Sequence, residues 1–460
     1  MILNIVILAA GKGKRMKSNL PKVLHKIASK PMLMHVLDTA SELQADTTTV
    51  VIGHGADKVK NACEGIENLN FALQDPPQGT GHAVLQASSF LKVGDADNSK
   101  TLILYGDVPL IQAYTLKKLL ESSGAGVGLL TEYLEDPTGY GRIIRNSSGF
   151  VESIVEQKDA SEDELKIKEI NTGIICAPTS NLLTWLTEIK NDNAQGEYYL
   201  TDIIKFANRD GVPIIATQAC TQFETAGVNS RLQLAGLEEQ YQKNKAYELL
   251  DDGVSIVDPS KFMLRGKLSC ESDVTIDIGC IFEGDVEIKS GAHIGPYCII
   301  KDSIIGSNAR IEAFSHIDGA TLSNDVVVGP YARLRPGTNL KDHSHVGNFM
   351  ELKKTTLGSY SKANHLSYLG DATIGDRVNV GAGTITCNYD GVNKFQTIIE
   401  DEAFIGSDTQ LVAPVTVGKG ATVAAGTTVM KDVPASQLVL NKKTQDVISG
   451  WQRPQKKKDS

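Results

Sequence analysis

The sequence lacks long apolar runs, paired cysteine motifs and an excess of positive charge, and each absence excludes a class of protein. The N-terminal stretch Ile2–Ala10 is far shorter than the roughly 20 apolar residues of a membrane span, and it lacks the basic n-region and cleavage site of a signal peptide. The 7 cysteines are scattered without a CxxC pair, so neither a disulfide framework nor a zinc site is indicated. We therefore expect a cytoplasmic protein with reduced thiols and no stable membrane insertion.

The charge balance is slightly acidic. Lysine and arginine number 46 against 55 aspartates and glutamates, a formal net charge of −9, which argues against nucleic acid or anionic lipid as a partner. Aromatic residues make up only 6% of the chain, but apolar residues make up 41% of its 460 positions. That is enough for two or three domains with cores of their own.

The first half has the alternation of an α/β domain. Short apolar runs at Ile2–Leu8, Thr49–Ile52 and Leu102–Tyr105 alternate with helix-compatible stretches such as Pro31–Leu43 and Thr115–Glu121. This order predicts a Rossmann-like, mostly parallel sheet with helices on both faces. Apolar residues at helical spacings after the N-cap candidate Ser230 predict a joining helix. We expect an α/β domain over 1–229, a linker helix over 230–251 and a second domain over 252–460.

The second domain has a period of six. Aliphatic or aromatic residues recur at this spacing in four series: Ile276, Phe282, Ile288, Ile294 and Ile300; Ile305, Ile311 and Ile317; Val328, Leu334, Leu340, Val346 and Leu352; Leu411, Val417, Val423 and Val429. No helix has that period, and the pattern predicts a left-handed parallel β-helix of hexapeptide repeats, in which each aliphatic side chain stacks on its equivalent one coil below. We expect breaks in the repeat near Ser359–Asn364 and at Asn388–Gln396, where loops leave the β-helix.

A basic, glycine-rich turn follows the first predicted strand. It reads Leu8-Ala9-Ala10-Gly11-Lys12-Gly13-Lys14-Arg15-Met16, with Lys22 close behind. The glycines allow backbone N–H groups to approach an anion, and the bases add positive charge, so a polyphosphate is the expected ligand. Asp107 follows the strand Leu102–Tyr105 at the edge where open α/β sheets bind ligands. Next to a phosphate site, this carboxylate is a candidate Mg²⁺ ligand.

These motifs resemble those of the sugar-nucleotidyltransferase family. The pattern LxxGxGxRM, the segment from Gln74 to Ala83 and the triplet Tyr105-Gly106-Asp107 carry the resemblance. With the hexapeptide repeat, the chain resembles the bifunctional family that joins an N-acetylglucosamine-1-phosphate uridylyltransferase to a glucosamine-1-phosphate N-acetyltransferase. The resemblance implies acetyl transfer from acetyl-CoA, then Mg²⁺-dependent transfer from UTP that yields UDP-N-acetylglucosamine and pyrophosphate.

The resemblance also assigns the N-terminal site residues. The family residues that bind UTP or UDP-N-acetylglucosamine match Leu8, Ala9, Ala10, Gly11, Lys12, Lys22, Gln74, Gly79, Thr80, Tyr105, Gly106, Asp107, Gly141, Glu156, Asn171 and Asn229. Of these, Gly141, Glu156 and Asn171 correspond to the amino-sugar contacts, and Asp107 and Asn229 to the Mg²⁺ ligands. Arg15 corresponds to a catalytic phosphate contact. A sugar phosphate is already anionic, so this reaction needs positioning and charge neutralisation rather than a base.

Acetyl transfer to an ammonium does need a base. By resemblance, His365 is that base and Glu351 the carboxylate that orients it. The glucosamine-1-phosphate contacts match Arg335, Lys353, Tyr368 and Asn379, and the acetyl-CoA contacts match Ala382, Asn388, Tyr389, Ser407, Ala425 and Lys442. Lys442 stands where the family has an arginine, so the charge is kept and the bidentate fork is lost. The family forms homotrimers with acetyl-CoA sites between subunits.

Two other functions fit parts of the sequence. One is a nucleotidyltransferase for a different sugar phosphate with a regulatory β-helix, against which the His365 and Glu351 pair argues. The other is a β-helical scaffold that binds nucleotides without turnover, against which Asp107 and Asn229 argue, since binding alone does not require a metal at the reacting phosphate.

Overall fold

The computed structural model describes residues 1–94, 98–221, 223–442 and 444–456. The chain divides into two compact units, Met1–Asn244 and Lys245–Ser460. Across the described ranges, no helix combines the length and apolar composition that crossing a bilayer requires. All the cysteines are free.

The first unit is built on one sheet, and its described strands are β1 (Ile2–Leu8), β2 (Thr47–Ile52), β3 (Leu69–Leu73), β4 (Ser99–Tyr105), β5 (Val127–Tyr133), β6 (Gly141–Arg145), β7 (Val151–Val155), β8 (Glu169–Pro178) and β9 (Ile214–Gln218). Their order is β9-β5-β8-β4-β1-β2-β3, and β6 pairs with both β8 and β7. Helices are α1 (Met32–Ser41), α2 (Ala56–Ala62), α3 (Thr80–Gln86), α4 (Ala113–Ser122), α5 (Thr179–Glu188), α6 (Ile203–Arg209) and α7 (Arg231–Asp251). A short hairpin, Lys26–Ile27 with Lys30–Pro31, precedes α1.

The sheet is mostly parallel, as the sequence predicts. Strand β1 runs parallel to β2 and β4, and its central residues are fully buried because helices cover both faces. Strand β8 runs antiparallel to β4 and β5, and the pairings of β6 with β8 and with β7 are also antiparallel. The beginning of β8 therefore lies at the edge where β1 and β4 end. This reversal brings Asn171 to the ligand-binding edge of the sheet.

The predicted joining helix is α7. The Ser230 hydroxyl caps it by accepting a hydrogen bond from the backbone N–H of Gln233 at 3.2 Å. In its first half, Leu234, Leu237 and Tyr241 pack against an apolar cluster of the first unit, and in its second half Leu249 and Leu250 pack against the core of the second unit.

The second unit is a parallel β-helix, with two long parallel sheets within its described residues. One contains Ser255–Ile256, Thr275–Ile276, His293–Ile294, Arg310–Ile311, Val327–Val328, His345–Asn348, Lys362–His365, Asn379–Val380, Phe404–Ile405, Thr422–Val423 and Leu438–Val439. The other contains Met263–Cys270, Ile281–Ile288, Ile299–Lys301, Ile304–Ile305, His316–Asp318, Thr321–Leu322, Arg333–Leu334, Asn339–Leu340, Glu351–Lys353, Thr356–Leu357, Tyr368–Gly370, Ala372–Ile374, Ile385–Cys387, Thr397–Ile399, Gln410–Val412, Val415–Val417 and Thr428–Val429.

The six-residue period is the spacing of inward side chains along the chain, and the residues that stack on one another are 17 or 18 positions apart. Ile276 pairs with Ile294, then Ile311, Val328 and Val346 follow along the same ladder. Every residue of the four predicted series is buried. Three hexapeptides complete one coil, so each inward side chain meets its equivalent on the next coil and excludes water along the whole core. The predicted fold class is confirmed.

One predicted break is wrong. The ladder continues through Ser359–Asn364, where buried Ala363 takes the inward position between Val346 and Val380. The sequence pattern misses it because alanine is a small member of an aliphatic series. The second predicted break does leave the β-helix: residues 388–396 lie between two strands, and Tyr389 and Lys394 pair in an antiparallel bridge.

Candidate active sites

A cavity of about 320 Å³ opens at the carboxyl edge of the first sheet. Ten residues assigned to nucleotide binding line it: Leu8, Ala9, Ala10, Gly11, Lys22, Gln74, Gly79, Thr80, Tyr105 and Asp107. They come together because β1 and β4 end side by side, with the Gly106 N–H donating to the Leu8 carbonyl at 2.9 Å. The buried Gln74 side chain donates to the Gly79 carbonyl at 2.9 Å and joins the third segment to the first two.

Gly79 requires its lack of a side chain. Its φ is +108°, and a Cβ there would lie 2.6 Å from the Tyr198 carbonyl oxygen. The turn can therefore enter α3 against the 198–200 segment only with glycine at this position. Thr80 completes this junction, since its hydroxyl accepts from the Leu200 N–H at 3.1 Å.

The candidate metal ligands converge on one cation. The Lys22 ammonium donates to Asp107 Oδ2 and, at 3.0 Å, to Asn229 Oδ1. A backbone hydrogen bond of 2.9 Å from Val228 N–H to the Asp107 carbonyl holds the two ligand segments side by side. Two oxygens that share one positive partner are a donor set that fits Mg²⁺. The other basic residues of the turn, Lys12, Lys14 and Arg15, are exposed and do not line the cavity.

The three sugar-site residues also lie together. Gly141 on β6 pairs with Asn171 on β8, and a Cβ on Gly141 would lie 3.5 Å from Glu156 Oε1. Glu156 accepts a hydrogen bond from Thr201 Oγ1 at 3.1 Å. Burial raises the pKa of the Glu156 carboxyl, and the Thr201 bond partly opposes this.

Sequence reasoning missed part of this site. Pro77 and Glu197 line the nucleotide cavity, and Thr201 binds Glu156. The only signal was the polar, turn-rich stretch at 191–197, which reads NDNAQGE. Such a stretch is usually a solvated loop.

In the β-helix, the anion-binding candidates are clustered. Arg335 Nη1 donates to Glu351 Oε1 at 2.8 Å, and Glu351 and Lys353 pair in the ladder with Tyr368 and Gly370. The Lys394 ammonium, from the projecting loop, lowers the pKa of Lys353. Lys394 is a cation that sequence reasoning did not single out, although it lies in the loop that breaks the repeat.

His365 has a different partner from the one expected. Its Nδ1 lies 3.1 Å from Asn348 Oδ1, whereas the Glu351 carboxylate binds Arg335. The reason is the register: His365 and Asn348 are paired positions of adjacent coils in one sheet, 17 residues apart, whereas Glu351 lies in the other sheet. The predicted hydrogen bond between Glu351 and His365 is absent from the described part of the chain.

The acetyl-CoA candidates follow one corner of the β-helix. The Asp408 N–H donates to the Ala382 carbonyl at 2.7 Å, and the Gly426 N–H to the Ser407 carbonyl at 2.8 Å, so Ala382, Ser407 and Ala425 occupy successive coils. Asn388 is buried and bound to Asp371 Oδ2 at 2.5 Å. The acetyl-CoA candidates Tyr389 and Lys442 and the sugar-phosphate candidate Asn379 are exposed. Tyr389 lies next to the Arg335 cluster, because it pairs with Lys394 in an antiparallel bridge.

Two family models each match a part of one unit. The family model for MobA-like NTP transferase domains matches residues 5–136, and that for the hexapeptide repeat of succinyl-transferase matches residues 396–431. Fold and cavity thus define a nucleotidyltransferase joined to a hexapeptide-repeat β-helix. Among solved structures, HddC from Yersinia pseudotuberculosis is 19% identical with a TM-score of 0.39, covering 52% of this chain and 99% of that one.

Full-length relatives identify the particular family. Bifunctional protein GlmU of Bordetella parapertussis is 59% identical over 456 residues, 99% of this chain and 100% of that protein. GlmU of Burkholderia thailandensis is 59% identical with the same coverage, and that of Ralstonia nicotianae is 55% identical, covering 99% of each chain. The chain belongs to the family of bifunctional GlmU proteins. The predicted pairing of uridylyltransferase and N-acetyltransferase activities is confirmed, with a nucleotide and an acyl-CoA as substrates.

Proposed function

We propose that the two reactions occur in separate units: uridylyl transfer in the cavity of residues 1–229, and acetyl transfer on the β-helix of residues 252–460, with 230–251 as the linker. The convergence of Lys22, Asp107 and Asn229 beside a glycine-lined cavity is the observation that carries the first assignment. The substrates, UTP and acetyl-CoA, are cytoplasmic metabolites, which supports a cytoplasmic location.

In the first unit, Leu8–Gly11, Gln74, Gly79 and Thr80 hold the uridine, and Gly141, Glu156 and Asn171 hold the amino sugar. Lys12, Arg15 and Lys22 have long, flexible, positively charged side chains, and they bind the phosphates. Asp107 and Asn229 are the residues that would hold Mg²⁺, which when bound neutralises phosphate charge. The acceptor phosphate oxygen of the sugar attacks the α-phosphorus of UTP and pyrophosphate leaves, so the residues contribute alignment and charge rather than a base.

In the second unit, His365 is the general base. An Nδ1–H that donates to Asn348 Oδ1 leaves Nε2 free to accept the amine proton as nitrogen attacks the thioester carbon and the CoA sulfur leaves. Arg335, Lys353 and Lys394 bind the sugar phosphate, with Glu351 holding Arg335 in place. Tyr368 and Asn379 complete the sugar contacts. Ala382, Asn388, Tyr389, Ser407, Ala425 and Lys442 provide the acetyl-CoA surface.

One assay tests both assignments. Purified protein receives glucosamine-1-phosphate, acetyl-CoA, UTP and Mg²⁺, and release of CoA and of pyrophosphate is followed together. We expect pyrophosphate release from glucosamine-1-phosphate to depend on acetyl-CoA, since the acetylated sugar is the second substrate. Equal turnover of glucose-1-phosphate without CoA release would favour the nucleotidyltransferase with a regulatory β-helix.

We expect the Lys22 ammonium to compete with a divalent cation for the oxygens of Asp107 and Asn229. Because it binds both candidate ligand oxygens, a divalent cation must displace it. We expect Lys22→Met to tighten Mn²⁺ binding without nucleotide by about tenfold, a change of ~1.4 kcal/mol, measured by electron paramagnetic resonance of free Mn²⁺. Lys12→Met, at an exposed base of the same turn, is the matched control and should bind Mn²⁺ as the wild type does. Unchanged or weaker binding in Lys22→Met would contradict the shared site.

We also propose a homotrimer. The rings of Tyr297, Phe314, Tyr331 and Phe349 stack along one corner of the β-helix with centroids 5.0 to 5.3 Å apart, and each is 47 to 54% exposed. An apolar stripe of this length is suited to burial against another copy. Sedimentation equilibrium should give three times the chain mass of 49.5 kDa, and a monomer at micromolar concentration would exclude the proposal.

A further inference from the structure

A buried arginine follows Gly141, a residue of the candidate sugar site, on the same strand. Arg142 on β6 is only 1% exposed, and no carboxylate forms an ion pair with it in the described parts of the chain. Its Nη1 donates to the Tyr140 carbonyl and its Nη2 to Gln157 Oε1 at 2.8 Å. Its Nε is buried without a hydrogen-bond partner among the described residues. Arg142 attracts the exposed carboxylate of Asp136, whose pKa is lowered mainly by hydrogen bonds with Thr138 and least by the Arg142 charge. A buried guanidinium without an ion pair is costly, so this side chain is not explained by stability.

The two acceptors of Arg142 flank the sugar-site residues. Tyr140 precedes Gly141, and Gln157 follows Glu156. The Gln157 Oε1 atom also accepts from the Gly139 N–H at 3.1 Å. The Gln157 side chain is therefore bound to the chain on both sides of Gly141, at the Gly139 N–H and at the Arg142 guanidinium.

The gap between the Gly141 backbone and the Glu156 side chain is narrow. A Cβ on Gly141 would lie 3.0 Å from Ile154 Cγ2 and 3.5 Å from Glu156 Oε1, so the Gly141 backbone and the Glu156 carboxylate face each other closely. β6 and β7 are paired with Arg142 opposite Val155, but the pairing ends there. Beyond the last strand pair, the hydrogen bonds that join the two segments within the described residues are those that Gln157 Oε1 accepts from Arg142 Nη2 and from the Gly139 N–H.

We infer that Arg142 and Gln157 are positioning residues that set the gap between Gly141 and Glu156 and thereby the affinity for the amino sugar. The inference rests on the proposed sugar site. Neither residue touches the substrate; each acts through the backbone that carries Gly141 and Glu156. A charge-assisted hydrogen bond suits this task because it resists distortion more than a neutral one.

The test separates positioning from stability. Gln157→Leu removes the shared acceptor and leaves Arg142 in place; we expect the KM for N-acetylglucosamine-1-phosphate to rise about tenfold, since misplaced binding groups lose affinity steeply, with the KM for UTP unchanged. Gln157→Glu keeps an oxygen for both donors and should restore the sugar KM. Arg142→Lys should resemble Gln157→Leu, because an ammonium cannot span both acceptors.

Arg145→Met is the matched control. Arg145 lies on the same strand and forms an ion pair with Glu169, with Nη2 2.6 Å from Oε1, but it has no bond to the 139–141 or 156–157 segments. It should lower the melting temperature and leave the sugar KM unchanged. If Gln157→Leu and Arg142→Lys shift only the melting temperature, as Arg145→Met does, the positioning role is wrong. If the wild type itself does not turn over the sugar phosphate, the proposed function fails instead, and if Arg142→Lys does not fold, the two Gln157 variants decide.

Discussion

Asp107→Asn should reduce uridylyl transfer by about 10³-fold or more while acetyl transfer stays at the wild-type rate. The substitution removes the carboxylate charge of the candidate metal site and keeps the shape of the side chain, and losing several kcal/mol of transition-state stabilisation costs about tenfold per 1.36 kcal/mol. In our proposal, the acetyl site lies in the other unit and uses none of these residues. Steady-state release of pyrophosphate and of CoA by the same preparation measures both activities.

The controls for this variant address folding and charge. Asp57→Asn changes an exposed aspartate in the first turn of α2, and it should leave both activities unchanged. In Asp107→Asn, the Lys22 ammonium keeps Asn229 as a partner, so the melting temperature should fall only slightly. A variant with a normal melting temperature that loses both activities equally would contradict the assignment of Asp107 to the first reaction.

His365→Ala should lower acetyl transfer by about 10²- to 10⁴-fold, the usual contribution of a positioned general base. The amine must lose a proton when it attacks the thioester, and no other group accepts it in our proposal. Uridylyl transfer from preformed N-acetylglucosamine-1-phosphate should be untouched. The acidic limb of the pH profile of acetyl-transfer kcat should disappear, because that limb reports protonation of the imidazole.

Variants of His343 and of Asn348, the hydrogen-bond partner of His365, serve as controls for this test. His343 lies in the same unit and stacks on Tyr360 with a centroid distance of 4.6 Å; His343→Ala should leave acetyl transfer unchanged. Asn348→Ala should lower kcat less than His365→Ala does, because it frees the ring orientation without removing the base. Full activity and an unchanged pH profile in His365→Ala would assign the proton to another group.

Local and repeated signals were sufficient for much of the fold. The strand Ile2–Leu8 is a short run rich in β-branched residues, and this composition alone predicts a buried strand. The six-residue period of the second unit recurs through many coils, so a single small residue such as Ala363 does not obscure it. The glycine-rich turn and Asp107 could likewise be read as a phosphate site, because each follows a predicted strand and parallel strands end at one edge.

Local sequence patterns could not predict which residues of distant segments come into contact. Asn348 and His365 meet only because they are 17 positions, one coil, apart. No local pattern indicates that Glu351 lies in the other sheet. Lys22, Asp107 and Asn229 come from three segments whose meeting depends on the sheet order.

The sequence by itself therefore determined the two architectures and the family, and it supplied the candidate residues of both proposed sites. Only the tertiary structure decided which side chains form hydrogen bonds with one another: His365 with Asn348, and Lys22 with Asp107 and Asn229. The physical reason is range: hydrophobic periodicity acts on neighbours a few residues apart, whereas hydrogen-bond partners depend on register and side-chain direction across the folded chain, as Arg142 and its two acceptors illustrate.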